Sequence, residues 1–356
     1  MVRGGLSSRA SAHAGPNPLA SLLNSRLAVC ILSVLVTLVL SSTWSGSVDK
    51  PRRAVSSIST AAGGTDIASF DLTPVQATAQ GAAAGEKLLI LTPLKDAAPY
   101  LDEYFENLAR LSYPRNLISL AFLVSDSTDN TVAKLRARAR RLSHLPAKER
   151  YDSITILEKD FKFNLASEVR HGFEGQPVRR AFIAKARNYL LSAALRPDTA
   201  WVLWLDVDVV RYDPYILSDL MSIDKDITVP NTLWHVKDWA FWGFDRNNFA
   251  ETEDSLALLD KLGPDVMLVE GYRELMTSRA HLVDMPTHLG LAHVPLDGIG
   301  CTFALVKAQV HREGVTFPTF VFDNEVETEG LAKVAKKAGF EVVGVPGVLV
   351  FHAQNH

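Results

Sequence analysis

Cysteine is almost missing from this chain: Cys30 and Cys301 are the only two, and the first lies inside an apolar run. A disulfide framework is therefore excluded, and Cys301 reads as a buried thiol. An excess of either charge is missing too. The formal net charge of −3 gives no electrostatic reason to expect nucleic acid or a broad acidic-lipid surface. No Asn-x-Ser/Thr glycan acceptor and no internal repeat occurs. Long apolar runs are scarce. The most apolar run, LAVCILSVLVTLVL at 27–40, is short for a membrane span, which needs roughly 20 residues and at least about 17. SSTW extends it to Trp44.

Three readings of that run are open: a signal anchor, a cleaved signal peptide, whose apolar core is shorter than a span, and a buried core helix. Arg3, Arg9 and Arg26 precede it and Lys50, Arg52 and Arg53 follow, so flanking charge does not set an orientation. The anchor is the working expectation, because no domain pattern surrounds the run. Residues 1–26 are then a cytoplasmic tail, 27–44 the transmembrane signal anchor and 45–86 a flexible stem. The stem is rich in Ser, Thr, Ala and Gly and has little to bury. Residues 87–356 are then expected to form one folded domain.

From Lys87 the texture is α/β. KLLILT is a short apolar run stopped by Pro93, which suits a buried strand. Leu101, Tyr104, Phe105 and Leu108 then recur at helical spacing. Strands are expected at 120–124, 154–157, 201–205 and 348–351. Helices are expected after Asp129 or Ser127 as caps, around Phe182 to Ala193, and over 331–338 with Thr328 as cap. Strands alternating with helices of this size indicate a mainly parallel sheet with helices on both faces, whose ligands bind beyond the carboxyl ends of the strands.

The chemistry-bearing motifs fall there. The strand 201–205 runs into Asp206-Val207-Asp208. In extended chain, residues two apart point to one side, so both carboxylates can face one cation. With diphosphate oxygens filling other positions, such a pair suits Mg²⁺ or Mn²⁺, which would neutralise charge on a departing nucleoside diphosphate. Asp126 can accept from a ribose or base, or with Asp129 merely cap the next helix. Arg180 and Arg187 share a helix face, and paired arginines suit phosphate oxygens; the wider basic run at 134–141 reads as a solvated face. Asp245, Asp297 and Glu329 stand beside aromatics or glycines, as sugar hydroxyls require, although each also fits a turn or cap. His352 ends the last strand, where a lone histidine is ordinarily bland.

Taken together, Leu91-Thr92-Pro93-Leu94-Lys95-Asp96, the stretch 125–131, Ala186-Arg187-Asn188, Trp204-Leu205-Asp206-Val207-Asp208, Val269-Glu270-Gly271-Tyr272, the stretch 296–300, Thr328-Glu329-Gly330 and Val350-Phe351-His352 resemble the fungal mannan polymerase subunit family, glycosyltransferase family 62. The similarity covers the domain from Lys87 to the end, in order and at similar spacing. It implies a GT-A type glycosyltransferase fold, with a mainly parallel Rossmann-like sheet flanked by helices behind an N-terminal anchor. It further implies a single-pass type II Golgi membrane protein whose catalytic domain is lumenal. The donor would be GDP-mannose, the cofactor Mn²⁺, and the acceptor an N-linked mannan glycan. Transfer would be α, commonly α-1,6, with retention, in a hetero-oligomer with other mannan polymerase subunits. By motif, Asp206, Asp208 and His352 would hold the metal; Asp206, Asp208, Asp245, Asp297 and Glu329 would form the catalytic set; Pro93, Asp126, Arg180, Arg187 and Asp206 would bind the donor. Two alternatives stand beside this. A scaffold subunit would keep the donor fold while a partner performs transfer. A haloacid-dehalogenase-type phosphatase would use Asp206-Val207-Asp208-Val209-Val210, but its motif belongs on the first strand of its domain.

Overall fold

The computed structural model describes residues 56–58, 67–163, 172–235, 243–272, 276–285 and 290–354. The tail, the anchor at 27–44 and much of the stem lie outside the described residues. Among those described, no helix is long and apolar enough to cross a membrane.

Eight strands carry the central sheet: β1 Lys87–Leu94, β2 Ile118–Val124, β3 Ser153–Glu158, β4 Thr199–Leu205, β5 Val209–Tyr212, β6 Ile227–Trp234, β7 Phe303–Lys307 and β8 Val342–His352. With the two-residue strand Val294–Pro295 they make a nine-stranded sheet, Val294–Pro295/β8/β6/β7/β4/β1/β2/β3, with β5 also on β8. The ladders β3–β2–β1–β4 are parallel, and so is β6–β8. The mainly parallel α/β expectation holds. The sequence pattern did not disclose β5, β6 or β7; β7 runs antiparallel between β4 and β6 and joins the two parallel blocks.

Both faces are covered. On β4 the side chains alternate, as a pleated strand requires. Trp201, Leu203 and Leu205 pack with α1 (Leu101–Arg110), α2 (Thr131–Ser143) and α4 (Ile216–Ser222). Val202 and Trp204 pack with α3 (Gln176–Ala194), α6 (Ala308–Arg312) and α7 (Glu327–Lys337); α5 is Glu253–Leu262. Each fully buried leucine of these layers contributes about 1.5–3 kcal/mol, so strand and helix ends are held where they can present polar groups. Pro93 is tolerated because the β1 ladder to β4 stops at Leu91. Pro230 lies mid-strand in β6, opposite the irregularity in β8 between Val345 and Leu349, which absorbs the missing donor.

The compact unit begins ahead of Lys87, within residues that composition assigned to the stem. Glu86 accepts from the Thr78 N–H (3.0 Å) and from Trp201 Nε1–H (2.7 Å). The Tyr113 hydroxyl donates to the Glu86 carbonyl at 2.6 Å. A short pair, Ser56–Ile58 with Ile67–Ser69, precedes this.

Two expected caps are corrected. Helix α7 starts at Glu327, with Val326 at its N-cap and no side-chain cap. Thr328 lies inside the first turn and donates to Glu329 Oε2 at 2.8 Å. Ser127 is no cap for α2: its hydroxyl accepts from the Asp96 N–H at 3.0 Å.

Candidate functional site

The parallel strands end on one side, and two adjoining regions form there. The first follows β1, β2 and β3. The loops after β1 and β2 lock each other. Asp96 accepts from the Thr128 N–H (2.6 Å) and hydroxyl (3.1 Å), Asp129 accepts from the Ala98 N–H (3.1 Å), and Thr131 Oγ1 accepts from the Ala97 N–H (2.7 Å). Asp129 also takes the Thr131 N–H at 2.9 Å, so it serves α2 as a cap would. This cage walls a cavity of about 720 Å³ lined by Lys95, Asp126, Lys159, Lys162 and Phe163 among others. Asp126 adopts φ +50. Its Oδ1 accepts from the Phe163 N–H at 3.2 Å. Its Oδ2 is buried and meets no donor, and the Asp160 carboxylate stands close enough to interact with Asp126. Pro93 lines a smaller cavity of about 170 Å³ with Arg179 and Phe182, and Phe182 stacks on Phe163 at 3.9 Å.

The second region is the acidic centre. Beyond β4, Asp206 is held by its N–H on the Thr302 carbonyl (3.0 Å). Asp208 turns the chain into β5, and its carbonyl accepts from the Ala353 N–H at 2.8 Å. That bond brings the end of β8 alongside, and His352 Nε2 lies 3.1 Å from Asp208 Oδ2. His352 also stacks on Phe244 at 3.8 Å. The structure thus brings Asp208 and His352 into contact across a long stretch of sequence. On the Asp206 side, Arg187 Nη2 stands 3.3 Å from Oδ1. Although 31% of the Asp206 side chain meets solvent, the enclosing fold raises its pKa; Arg187 and His352 oppose this and the like charge of Asp208 adds to it. Burial alone would lower the His352 pKa, but the Asp208 carboxylate and the Ala353 carbonyl outweigh it and the net shift is upward.

Asp245 is buried beside this centre. Its oxygens accept from the Asn247 N–H (3.1 Å) and the Thr302 hydroxyl (3.2 Å), and burial pushes its pKa up to about 6. Gly300 packs directly on that carboxylate, where a Cβ would collide. Glu329 is fully buried against Arg180, whose Nη2 donates to Asn247 at 3.4 Å. Asp297 does not join the group. It accepts from the Glu251 N–H at 2.8 Å and pairs with Lys336. Arg180 and Arg187, expected on phosphate from residue type alone, are both committed to carboxylates: Arg187 Nε also meets Glu327 at 3.3 Å.

Sequence reasoning missed a further charge cluster. The Arg279 side chain, 0% exposed, lies over the Phe249 ring at 3.9 Å and pairs with Glu251 (3.0 Å), Glu270 (2.8 Å) and Glu325 (2.5 Å). Its one trace in sequence was Val269-Glu270-Gly271-Tyr272.

Whether a divalent ion fits can be judged from the donors. Among the described residues, no three His, Cys, Asp or Glu side chains already stand in ligating arrangement. The chemistry nevertheless suits one. His352 Nδ1–H donates to the Ala353 carbonyl at 2.6 Å, which in the neutral ring leaves the Nε2 lone pair facing a carboxylate oxygen. Two acceptors so placed need a proton or a cation between them, and a carbonyl behind the imidazole is the usual support of a ligating histidine. Two carboxylates and an imidazole suit Mn²⁺ better than Ca²⁺.

Fold and site define an α/β protein with an acidic centre at the strand ends beside a cavity of nucleotide size. The chain belongs to the Anp1 family, whose model matches residues 66–321. It is 43% identical over 274 residues to the mannan polymerase II complex anp1 subunit of Schizosaccharomyces pombe, covering 75% of this chain and 64% of that one. It is 39% identical to the mannan polymerase II complex ANP1 subunit of Saccharomyces cerevisiae (80% and 58%) and 37% identical to the mannan polymerase complex subunit MNN9 of Candida albicans (80% and 80%). The chain thus spans about three-fifths of the length of the first two. Among solved structures, the mannosyltransferase PcManGT from Pyrobaculum calidifontis in complex with GDP-Man and Mn²⁺ is similar at 15% identity and a TM-score of 0.42, over 75% of this chain and 56% of that one; a likeness that slight supports no further argument. The phosphatase alternative falls away, since the Asp-x-Asp follows the fourth strand of the central sheet and not the first.

Proposed function

We propose that this chain is a Golgi α-mannosyltransferase that moves mannose from GDP-mannose to an N-linked mannan glycan, with Mn²⁺ and with retention. We place it in a mannan polymerase complex with other such subunits, with α-1,6 as the linkage, residues 27–44 as a type II anchor and the domain lumenal. The observation that carries the reading is the contact of His352 with Asp208, two residues on from Asp206 at the strand ends, together with a cavity lined by Asp126, whose Oδ2 meets no donor.

Asp206, Asp208 and His352 would hold the ion, which when bound supplies positive charge against the diphosphate. Asp126 Oδ2 gains the donor it lacks from a ribose hydroxyl or base N–H, and the two locked loops hold it ready at no further ordering cost. Arg187 adds a fixed cation near the diphosphate, where preorganised charge favours the departing group. Asp245, its pKa raised to about 6, and Glu329 are both buried and would back the sugar site from behind. In the transfer the C1–O bond to diphosphate breaks and a C1–O bond to the acceptor hydroxyl forms on the same face. The acceptor proton passes to a diphosphate oxygen, so no protein base is assigned.

A scaffold role is the competing reading, favoured by Asp206 and Asp208 both being engaged by Arg187 and His352. Purified protein with GDP-mannose, Mn²⁺ and a mannose oligomer separates the two. GDP release with a lengthened, α-linked glycan supports transfer; GDP binding without product supports the scaffold.

A further inference from the structure

Glu325, Glu327 and Glu329 alternate along one short stretch, and each is gripped by a different buried arginine: Arg279, Arg187 and Arg180 in turn. The backbone is bent to achieve this. Phe322 and Glu325 exchange N–H···O bonds of 2.8 and 3.0 Å across Asp323 and Asn324, both with positive φ (47 and 70), the tight hairpin turn such residues favour. Two residues on, Glu327 is itself left-handed at φ +57. A non-glycine persists there only when its surroundings hold it. Here its N–H donates to the Pro318 carbonyl at 3.0 Å, and Gly330 packs on the Pro318 ring.

The middle pair reaches the acidic centre. Arg187 gives Nε to Glu327 and Nη2 to Asp206, each at 3.3 Å, while Nη1 is buried with no partner. Its guanidinium lies over the rings of Trp204 and Phe317. An arginine left alone with a carboxylate closes on it with two parallel bonds. Here the Nε–Nη2 edge is divided between two carboxylates.

We infer that Glu327 is a positioning residue for Asp206: by holding Arg187 at Nε it limits Arg187 to one bond with Asp206 and leaves that carboxylate an oxygen for a cation. The consequence for the cation rests on the transferase reading; the coupling from Glu327 through Arg187 to Asp206 does not.

Two measurements test it. In chemical denaturation, E327Q and D206N combine non-additively in the parent, by about fivefold or more in the unfolding constant, and additively within about twofold in an R187M background. In GDP titrations, the gain in affinity conferred by Mn²⁺ falls by about 10- to 100-fold in E327Q, the usual effect of losing a residue behind a metal ligand, while metal-free GDP binding holds. A general structural role would weaken both together. If E327Q does not fold, E327D, which keeps the charge on a shorter arm, is expected to lose part of the Mn²⁺ gain. Additive behaviour in the parent, or an unchanged Mn²⁺ gain in the folded variant, overturns the inference. A coupled cycle in a parent that shows no Mn²⁺ gain upholds the positioning and retires the transferase reading.

Discussion

The two regions of the site are built in opposite ways. The cavity wall after β1 and β2 is short-range work: small polar side chains receive backbone N–H groups from a loop about one strand–helix unit away, as Asp96 does from Thr128. The acidic centre and its backing are long-range. Arg180 finds Glu329 and Arg187 finds Glu327 across 149 and 140 residues, and both pairs are buried. Hydrogen bonds of the first kind are individually modest and locally replaceable. Buried pairs of the second kind add little net stability when complete, yet breaking one strands a charge. The contrast predicts that the same kind of substitution is tolerated on one side and damaging on the other.

The largest effect is expected at Arg279. Arg279→Met strips the buried Glu325 of its cation, while Glu251 keeps Lys333 and Glu270 keeps Thr277 and His281, and should cost about 3–5 kcal/mol of unfolding free energy in chemical denaturation. A loss under 1 kcal/mol would erase the contrast. Next comes Asp245. Its folded pKa of about 6 exceeds the unfolded value of about 3.9, so the folded state binds more protons between these values. The stabilisation is complete below about pH 4 and is lost as pH rises through about 6. The parent should therefore lose about 2–3 kcal/mol more than Asp245→Asn between pH 4 and pH 6.5; parallel stability curves for the two proteins would refute this. The smallest effect belongs to the cage. Asp96→Ala removes acceptors from an exposed loop and should cost about 1 kcal/mol in stability, while weakening GDP binding by loosening the wall that carries Asp126. An equal loss from Asp96→Ala and Arg279→Met would mean that both regions are built alike.

The same contrast explains what could be read without a structure. Buried strands announce themselves by apolar runs, and β1, β2, β3 and β4 fall where KLLILT, LAFLV, ITIL and WVLWL place them. Asp206, Asp208 and His352 were visible because each ends such a run. Antiparallel β7 was not, since FALVK is brief and its partners are set by pairings a local pattern does not carry. The arginine–glutamate pairs were invisible for the same reason: residue type suggested phosphate for Arg180 and Arg187, and only the fold supplies their distant carboxylates. The glycines beside Asp297 suggest a ligand site in sequence, but Gly298 and Gly300 are small to admit Phe249 and Asp245. Thr328 looked like a cap because Ser and Thr usually are, whereas the left-handed Glu327 starts the helix one residue earlier.

The central claim is that Asp206, Asp208 and His352 together hold a divalent ion that ties a nucleotide to this fold. Calorimetric titration of GDP with Mn²⁺ into the parent, Asp208→Asn and His352→Ala, each checked for an unchanged melting temperature, tests it most directly. The account predicts no Mn²⁺-dependent binding for Asp208→Asn and affinity lowered about tenfold or more for His352→Ala. A His352→Ala protein that binds Mn²⁺ and GDP as tightly as the parent would contradict it and leave His352 a packing residue under Phe244.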